Sequence, residues 1–197
     1  MSIYFVSDTH FGHDREFLFK PRGFDSIEEH DKEVIRLWNE TVGPEDTVYH
    51  LGDVMLGDNE YGMNCLRQLN GNIKIIRGNH DTSTRWKLYA TLPNVELLGW
   101  ADVIKYKKYT FYLSHHSTDT ANLDDTPHLR AHLLNLYGHT HQKSMFKDDK
   151  PFQFHVGLDS NGNKPVLLDD IIEKMKEKLQ ECIAFLGLEE ENNESCN

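Results

Sequence analysis

Five short clusters rich in Asp, His and Asn occur along the chain, and each follows a short apolar run. The clusters are Asp8-Thr9-His10, Gly52-Asp53, Gly78-Asn79-His80-Asp81, Ser114-His115 and Gly138-His139-Thr140-His141. Carboxylate, amide and imidazole groups of this kind bind divalent metal ions or move protons. The chain contains 12 histidines, most of them in or beside these clusters, so the sequence points to metal or proton chemistry.

Taken alone, each cluster has a simpler explanation. Gly-Asp is an ordinary turn sequence, and a single Asp-x-His more often caps a turn. The Gly-Asn-His-Asp cluster is more specific, because glycine allows close backbone approach and asparagine offers a neutral oxygen ligand. His139 and His141 are alternate residues, so in extended chain they could face two neighbouring cations. Their joint occurrence favours one shared site over five unrelated turns.

The elements that precede the clusters explain how they could meet. Strands are predicted at residues 3–6, 47–51, 73–76, 103–106, 110–113 and 133–137, with 103–106 and 110–113 paired as a hairpin. Parallel strands bring their carboxyl ends to one sheet edge, where α/β folds place their sites. Helices are predicted from Ser26 to about residue 43 and over 59–69, 83–90, 128–132 and 171–186, and closing strands over 152–158 and 165–168. Residues 10–23 are predicted to form a loop, and the alternation of elements predicts an α/β sandwich with a mixed sheet.

Composition limits the classes of protein and partner. The length of 197 residues favours one domain over residues 1–187, followed by an acidic polar tail over 188–197. No apolar run is long enough to span a bilayer, and the N-terminus lacks signal-peptide features, so no membrane association is expected. Three widely spaced cysteines fit a reducing cytoplasm. A net charge of −11 makes long nucleic acid an unfavourable partner.

The ordered motifs resemble those of the calcineurin-like metallophosphoesterase superfamily, whose pattern is D-x-H, G-D, G-N-H-[DE], a lone histidine and G-H-x-H. Three further segments, residues 7–13, Trp38-Asn39 and residues 46–53, resemble the small bacterial and phage branch of this superfamily. The resemblance covers roughly residues 2 to 175. The resemblance implies a four-layer αββα sandwich with mixed β-sheets and a metal site at the carboxyl ends of the strands.

The resemblance also implies a role for each cluster residue. Asp8, His10 and His141 would bind one metal ion, and Asp53 would bridge two. Asn79, His115 and His139 would bind the second ion. His80 would lie over the phosphate without binding metal, and Asp81 would orient it.

The implied activity is that of a two-metal phosphoesterase acting on a small phosphomonoester or phosphodiester. Two cations ~3.5–4 Å apart can clamp a phosphate and activate a shared hydroxide for in-line attack. His80 would assist at the phosphate or leaving group. Oxygen and imidazole ligands without thiolate suit Mn, Fe, Zn or Ni. Mn is the expected metal, and the ligand types alone do not choose among the four. The sequence makes no prediction of the oligomeric state.

Two other functions stay open at this stage. One is a nuclease or nucleotide-processing phosphodiesterase acting on short nucleic acid or a cyclic nucleotide. The other is a non-enzymatic scaffold of the same fold, which the complete ligand set disfavours. Substrate choice is expected to depend on the loops around the site.

Several residues near the clusters are weaker candidates. His13 and Arg15 follow the first cluster and are predicted to contact the substrate, whereas Lys20 and Arg22 are less favoured for this role. Trp86, Tyr89 and Trp100 could line a pocket for a ring, but core packing is the preferred interpretation. His50 and His155 are predicted to be structural, and His116 to be exposed or to support a ligand.

Overall fold

The fold contains nine strands in two sheets, in a computed structural model that describes residues 1–120, 128–147 and 150–186. The strands are β1 Ile3–Val6, β2 Thr47–His50, β3 Asn72–Ile76, β4 Val95–Gly99, β5 Ala101–Tyr106, β6 Tyr109–Ser114, β7 Leu133–Tyr137, β8 Gln153–His155 and β9 Val166–Leu167. One sheet has the order β4-β3-β2-β1-β9 and the other β5-β6-β7-β8.

Both sheets are mixed. Strands β1 to β4 are parallel to their neighbours, and β9 is antiparallel to β1. In the second sheet, β5 and β6 form an antiparallel hairpin, whereas β6, β7 and β8 are parallel. The bridge between Ser7 and Gly157 joins the chain just beyond β1 to the chain just beyond β8. The carboxyl ends of seven parallel strands therefore face one edge of the sandwich.

In the part of the chain that the structure describes, five α-helices accompany the sheets: α1 Glu16–Phe19, α2 Ile27–Thr41, α3 Asn59–Leu66, α4 Ser83–Tyr89 and α5 Leu168–Leu186. One core joins the sheets through side chains such as Phe5 and Leu136, and α5 packs into it through Ile171. A second core packs Trp38 of α2 and Leu66 of α3 against the strands of the five-stranded sheet. The two cores pack both faces of the five-stranded sheet.

The predicted sandwich of two mixed sheets is confirmed, and most elements lie where the sequence places them. Ser26 caps α2, since its hydroxyl accepts a hydrogen bond from the Glu29 amide at 3.2 Å. Helix α5 begins at Leu168, earlier than predicted, and the Asp169 carboxylate accepts a hydrogen bond from the Lys107 ammonium at 2.6 Å.

Two elements differ from the prediction. The segment predicted as a loop over residues 10–23 contains α1 and a 3-10 helix, Lys20–Arg22, because Leu18 and Phe19 are buried against Ile27. Strand β4 was not predicted; it is an edge strand of the five-stranded sheet, and its Val95, Leu97 and Leu98 side chains are only half-buried.

Within the described residues, no helix is both long enough and apolar enough to cross a bilayer. The predicted tail over 188–197 lies outside the described part of the chain, as does the middle of the loop between β6 and β7.

Candidate metal centre

Five strand ends deliver the predicted ligands to one place. Residues after β1, β2, β3, β6 and β7 converge there as the sequence predicts. Three groups have potential ligand atoms within 4.8 Å of one another: Asp8 with His10 and His141, Asp8 with Asp53 and His115, and His115 with His116 and His139. Asn79 joins the last two groups, because its side-chain oxygen lies 2.9 Å from His115 Nε2.

Each candidate ligand atom lies close to the next one across the site. His10 Nε2 lies 3.2 Å from His141 Nε2 and 3.8 Å from Asp53 Oδ2. On the other side, the same Asp53 oxygen lies 3.3 Å from His115 Nε2. The Asp53 carboxylate therefore lies between His10 on one side of the site and His115 on the other, where a ligand that bridges two ions must lie.

The backbone at the site is strained. Seven non-glycine residues in the described part of the chain have positive φ, and five of them are predicted ligands: Asp8, His10, Asp53, His139 and His141. Left-handed backbone is unfavourable for residues with a Cβ atom and persists where the surrounding structure enforces it. Such strain concentrates at functional sites, and here it turns alternate side chains towards one point.

Glycines allow the strand ends to approach this closely. A Cβ atom at Gly78 would lie 2.2 Å from Asp53 Oδ1, and one at Gly138 would lie 2.5 Å from Asp8 Oδ2. No side chain fits at either position without displacing a candidate ligand. These two motif glycines therefore serve the packing of the site.

The donor set fits divalent cations. Among the described residues, Asp8 Oδ1 is buried and has no hydrogen-bond partner, although Asp8 Oδ2 accepts a bond from the His139 amide at 2.9 Å. Leaving a carboxylate oxygen buried without a partner is costly unless a cation binds it. His115 Nδ1 lies 2.7 Å from the Leu51 carbonyl, so donation to that oxygen directs Nε2 into the site.

The pKa values of the central pair reflect strong coupling. Burial opposes ionisation of both groups. The hydrogen bond between them nevertheless holds the pKa of Asp53 below its ordinary value and raises the pKa of His115 to about 9. Because a histidine ligand must be neutral, a cation bound here would replace the proton that the two side chains share.

The two predicted catalytic residues, His80 and Asp81, have different surroundings in the structure. His80 Nε2 lies 4.0 Å from Asp53 Oδ2, and the His80 side chain is 42% exposed, so its imidazole lies at the mouth of the site. The Asp81 carboxylate instead accepts hydrogen bonds from the amides of Asp53, Val54 and Gly78. It also accepts one from the Tyr89 hydroxyl at 2.8 Å. The predicted role of Asp81 in orienting His80 is therefore corrected: Asp81 holds the Asp53 backbone.

A buried ion pair behind the site was missed by the sequence reasoning. Asp159, just after β8, accepts hydrogen bonds from Arg22 Nη2 at 2.7 Å and Nε at 3.1 Å. The same carboxylate lies 2.9 Å from His141 Nδ1, and Arg22 also donates to the Asp8 carbonyl. Arg22 is 6% exposed, so it supports two candidate ligands and is not placed to contact substrate.

This pair gives a first prediction. We expect Asp159→Asn to destabilise the metal-free protein by about 3 kcal/mol, because the Arg22 guanidinium would lose its buried counter-charge. We also expect metal affinity to fall about 10- to 100-fold, since His141 loses the group that orients it. Chemical denaturation and competition with a chelator measure the two effects.

Glu33→Gln is the matched control for this prediction. Glu33 also pairs with an arginine, Arg36, but on the exposed face of α2. The control variant should lose less than about 1 kcal/mol and no metal affinity. An Asp159→Asn protein with unchanged metal affinity would exclude a role in holding His141.

The residues that were weaker candidates for the site differ in burial and in distance from the predicted ligands. His13 is half-buried and its ring centroid lies 5.4 Å from that of His10, whereas Arg15 is exposed and precedes α1. His116 is exposed, with its ring 4.2 Å from His139. His50 is buried and structural as predicted; burial lowers its pKa to about 3.

The aromatic candidates divide similarly. Tyr89 is fully buried, so core packing is correct for it. Trp100 is 67% exposed, so core packing is wrong for it, and the Arg77 guanidinium lies 4.8 Å from its ring centroid. Trp86 is partly buried against the second core.

Comparison with known proteins identifies the family of this chain. Residues 1–158 match the model of the calcineurin-like phosphoesterase superfamily domain. An uncharacterized protein of Methanocaldococcus jannaschii is 34% identical over 187 residues, which cover 89% of this chain and 92% of that protein. The gene 66 protein of Mycobacterium phage D29 is 29% identical, over 81% of this chain and 88% of its own.

A solved structure has a similar fold. A protein of unknown function from Aquifex aeolicus superposes with a TM-score of 0.65 and 22% sequence identity, over 87% of this chain and 98% of its own. This likeness concerns the fold alone. The family match over residues 1–158 establishes that the chain belongs to the calcineurin-like phosphoesterase superfamily.

Proposed function

We propose that the protein is a two-metal-dependent phosphoesterase that hydrolyses a small phosphomonoester or phosphodiester. The observation that carries this proposal is the convergence of seven oxygen and imidazole ligands from five strand ends, five of them on left-handed backbone. The unpartnered Asp8 oxygen supports it, because a bound cation would satisfy that atom.

The residues divide into two sets around Asp53. Asp8, His10 and His141 would hold one ion, and Asn79, His115 and His139 would hold the other. When bound, two cations supply an activated water and neutralise charge on the phosphate. The oxygen and imidazole ligands suit Mn, Fe, Zn or Ni, and of these we propose Mn²⁺.

His80 completes the reacting site. Its imidazole lies at the open side of the site, and its Nε2 atom is 4.0 Å from Asp53 Oδ2. A phosphate held between the two ligand sets would place an oxygen beside this ring, where an imidazole can stabilise charge or supply a proton. The proposed partner is therefore a small phosphorylated molecule. Separately, the three widely spaced cysteines favour a cytoplasmic location.

A paired assay tests this function. The metal-free protein, loaded with Mn²⁺ and checked for metal content, should hydrolyse an aryl phosphate monoester or its diester. Absence of turnover on both esters with metal bound would contradict the proposal. Failure to bind metal would favour a non-enzymatic scaffold, and strongly salt-dependent binding of a short oligonucleotide would favour a nuclease.

A further inference from the structure

An exposed phenylalanine lies beside the candidate metal centre. Phe17 is 72% exposed, whereas its neighbours Leu18 and Phe19 in α1 are buried. The short helix is thus anchored on one face and presents a large apolar ring on the other. Removing such a ring from water is favourable, so it is a suitable contact for an apolar group.

Ring contacts connect Phe17 to the metal ligands. The Phe17 centroid lies 5.5 Å from that of His13 in an edge-to-face arrangement, and His13 lies 5.4 Å from His10. His80 also packs edge-to-face on His10, at 5.5 Å. His13 and His80 therefore both border the ligand His10, and Phe17 lies one ring further towards solvent.

His13 offers a polar group on this path. Its Nδ1 atom is buried and has no hydrogen-bond partner among the described residues. Because Nδ1 is buried, a substrate can contact only the exposed part of the half-buried His13 ring. A leaving group that lies against this ring, next to the phosphate, would extend towards Phe17.

We propose that His13 and Phe17 form a subsite for the leaving group, which takes a phosphoester carrying an uncharged planar ring, such as a benzyl or nucleoside ester. This inference rests on the proposed phosphoesterase function and names its substrate class. Trp100 is a poorer candidate for the same contact, because the Arg77 guanidinium already lies over its ring.

Binding of two phosphonates to the Mn²⁺-loaded protein tests the subsite without requiring turnover. Calorimetry should give an affinity for benzylphosphonate about tenfold higher than for methylphosphonate, the size expected for an aromatic contact with its buried area. Phe17→Ala should remove that preference and leave the affinity for methylphosphonate unchanged. The corresponding benzyl and methyl phosphate esters should show the same pattern in KM.

Phe185→Ala is the matched control, because Phe185 is 86% exposed on α5 and should affect neither ligand. An equal loss for both phosphonates in Phe17→Ala would indicate a structural role and overturn the subsite. A preference for benzylphosphonate that survives the substitution would overturn it as well. If the loaded protein binds neither phosphonate, the proposed function fails together with the subsite; binding of both without preference removes the subsite alone.

Discussion

Asp53→Asn is expected to lower kcat/KM for an aryl phosphate by at least about a thousandfold. The substitution removes one negative charge from the centre of the site, where Asp53 Oδ2 lies within 4 Å of His10 and His115. A unit charge pair at about 4 Å contributes roughly 4 kcal/mol where the effective dielectric constant is near 20, which corresponds to about three orders of magnitude. Two divalent ions would both lose this interaction.

The variant should still fold. Asp53 Oδ1 accepts a hydrogen bond from the His80 amide at 2.8 Å, and an asparagine oxygen can accept the same bond. The measurements are initial rate and metal content after dialysis, and we expect the loss of at least one ion per chain. Full activity with normal metal content would exclude a bridging role for Asp53.

The chain provides a closely matched control, Asp58→Asn. Asp58 is exposed and caps α3, where its carboxylate accepts a hydrogen bond from the Tyr61 amide at 2.8 Å. Asparagine is as good a helix cap as aspartate, so stability and activity should be unchanged. Asp58→Asn makes the same chemical change five positions away. A loss of activity seen only in Asp53→Asn is therefore due to the position of Asp53 in the site and not to the loss of one negative charge from the chain.

The same pair of aspartates shows what the sequence could and could not predict. Leu-Gly-Asp occurs twice, at residues 51–53 and 56–58, and both glycines have positive φ. Only Asp53 follows a parallel strand in register with β1 and β3. The strand, together with the order of the other motifs, distinguishes a candidate ligand from a helix cap, and the dipeptide alone does not.

Residues behind the site were harder to predict because their roles depend on long-range packing. Arg22 and Asp159 are 137 positions apart, and neither belongs to a motif. Asp159 could have been found by the rule that identified the ligands, since it follows β8 at the same sheet edge. Arg22 could not, because its burial depends on the unpredicted α1 and the 3-10 helix after it.

Asp81 illustrates a different limit. A carboxylate adjacent to a histidine in sequence suggests an orienting hydrogen bond, but the turn after β3 directs the two side chains apart. Burial raises the pKa of Asp81, and the amide donors of Gly78 and Asp53 and the Tyr89 hydroxyl oppose that shift. The direction of a side chain within a tight turn depends on its backbone angles, and the motif does not specify them.

His80→Ala is expected to reduce kcat about 10²- to 10⁴-fold while leaving the metal content unchanged. The imidazole reaches the open side of the site, but His80 belongs to none of the three groups of close ligand atoms. Its backbone amide, which bonds to Asp53, is retained in the variant. Loss of metal would instead identify His80 as a ligand, and an unchanged rate would remove it from the reacting site.

The dependence on the leaving group identifies what the His80 ring does. If it donates a proton to the departing oxygen, the loss in His80→Ala should be large for an alkyl ester and small for a nitrophenyl ester, whose leaving group needs no proton. If it stabilises charge on the phosphate oxygens, both esters should lose rate equally. His80→Asn, which keeps a hydrogen-bond donor but cannot act as an acid at neutral pH, should recover activity only in the second case. We expect the first pattern, because the half-exposed ring lies between the Asp53 carboxylate and solvent, the direction in which a leaving group must depart.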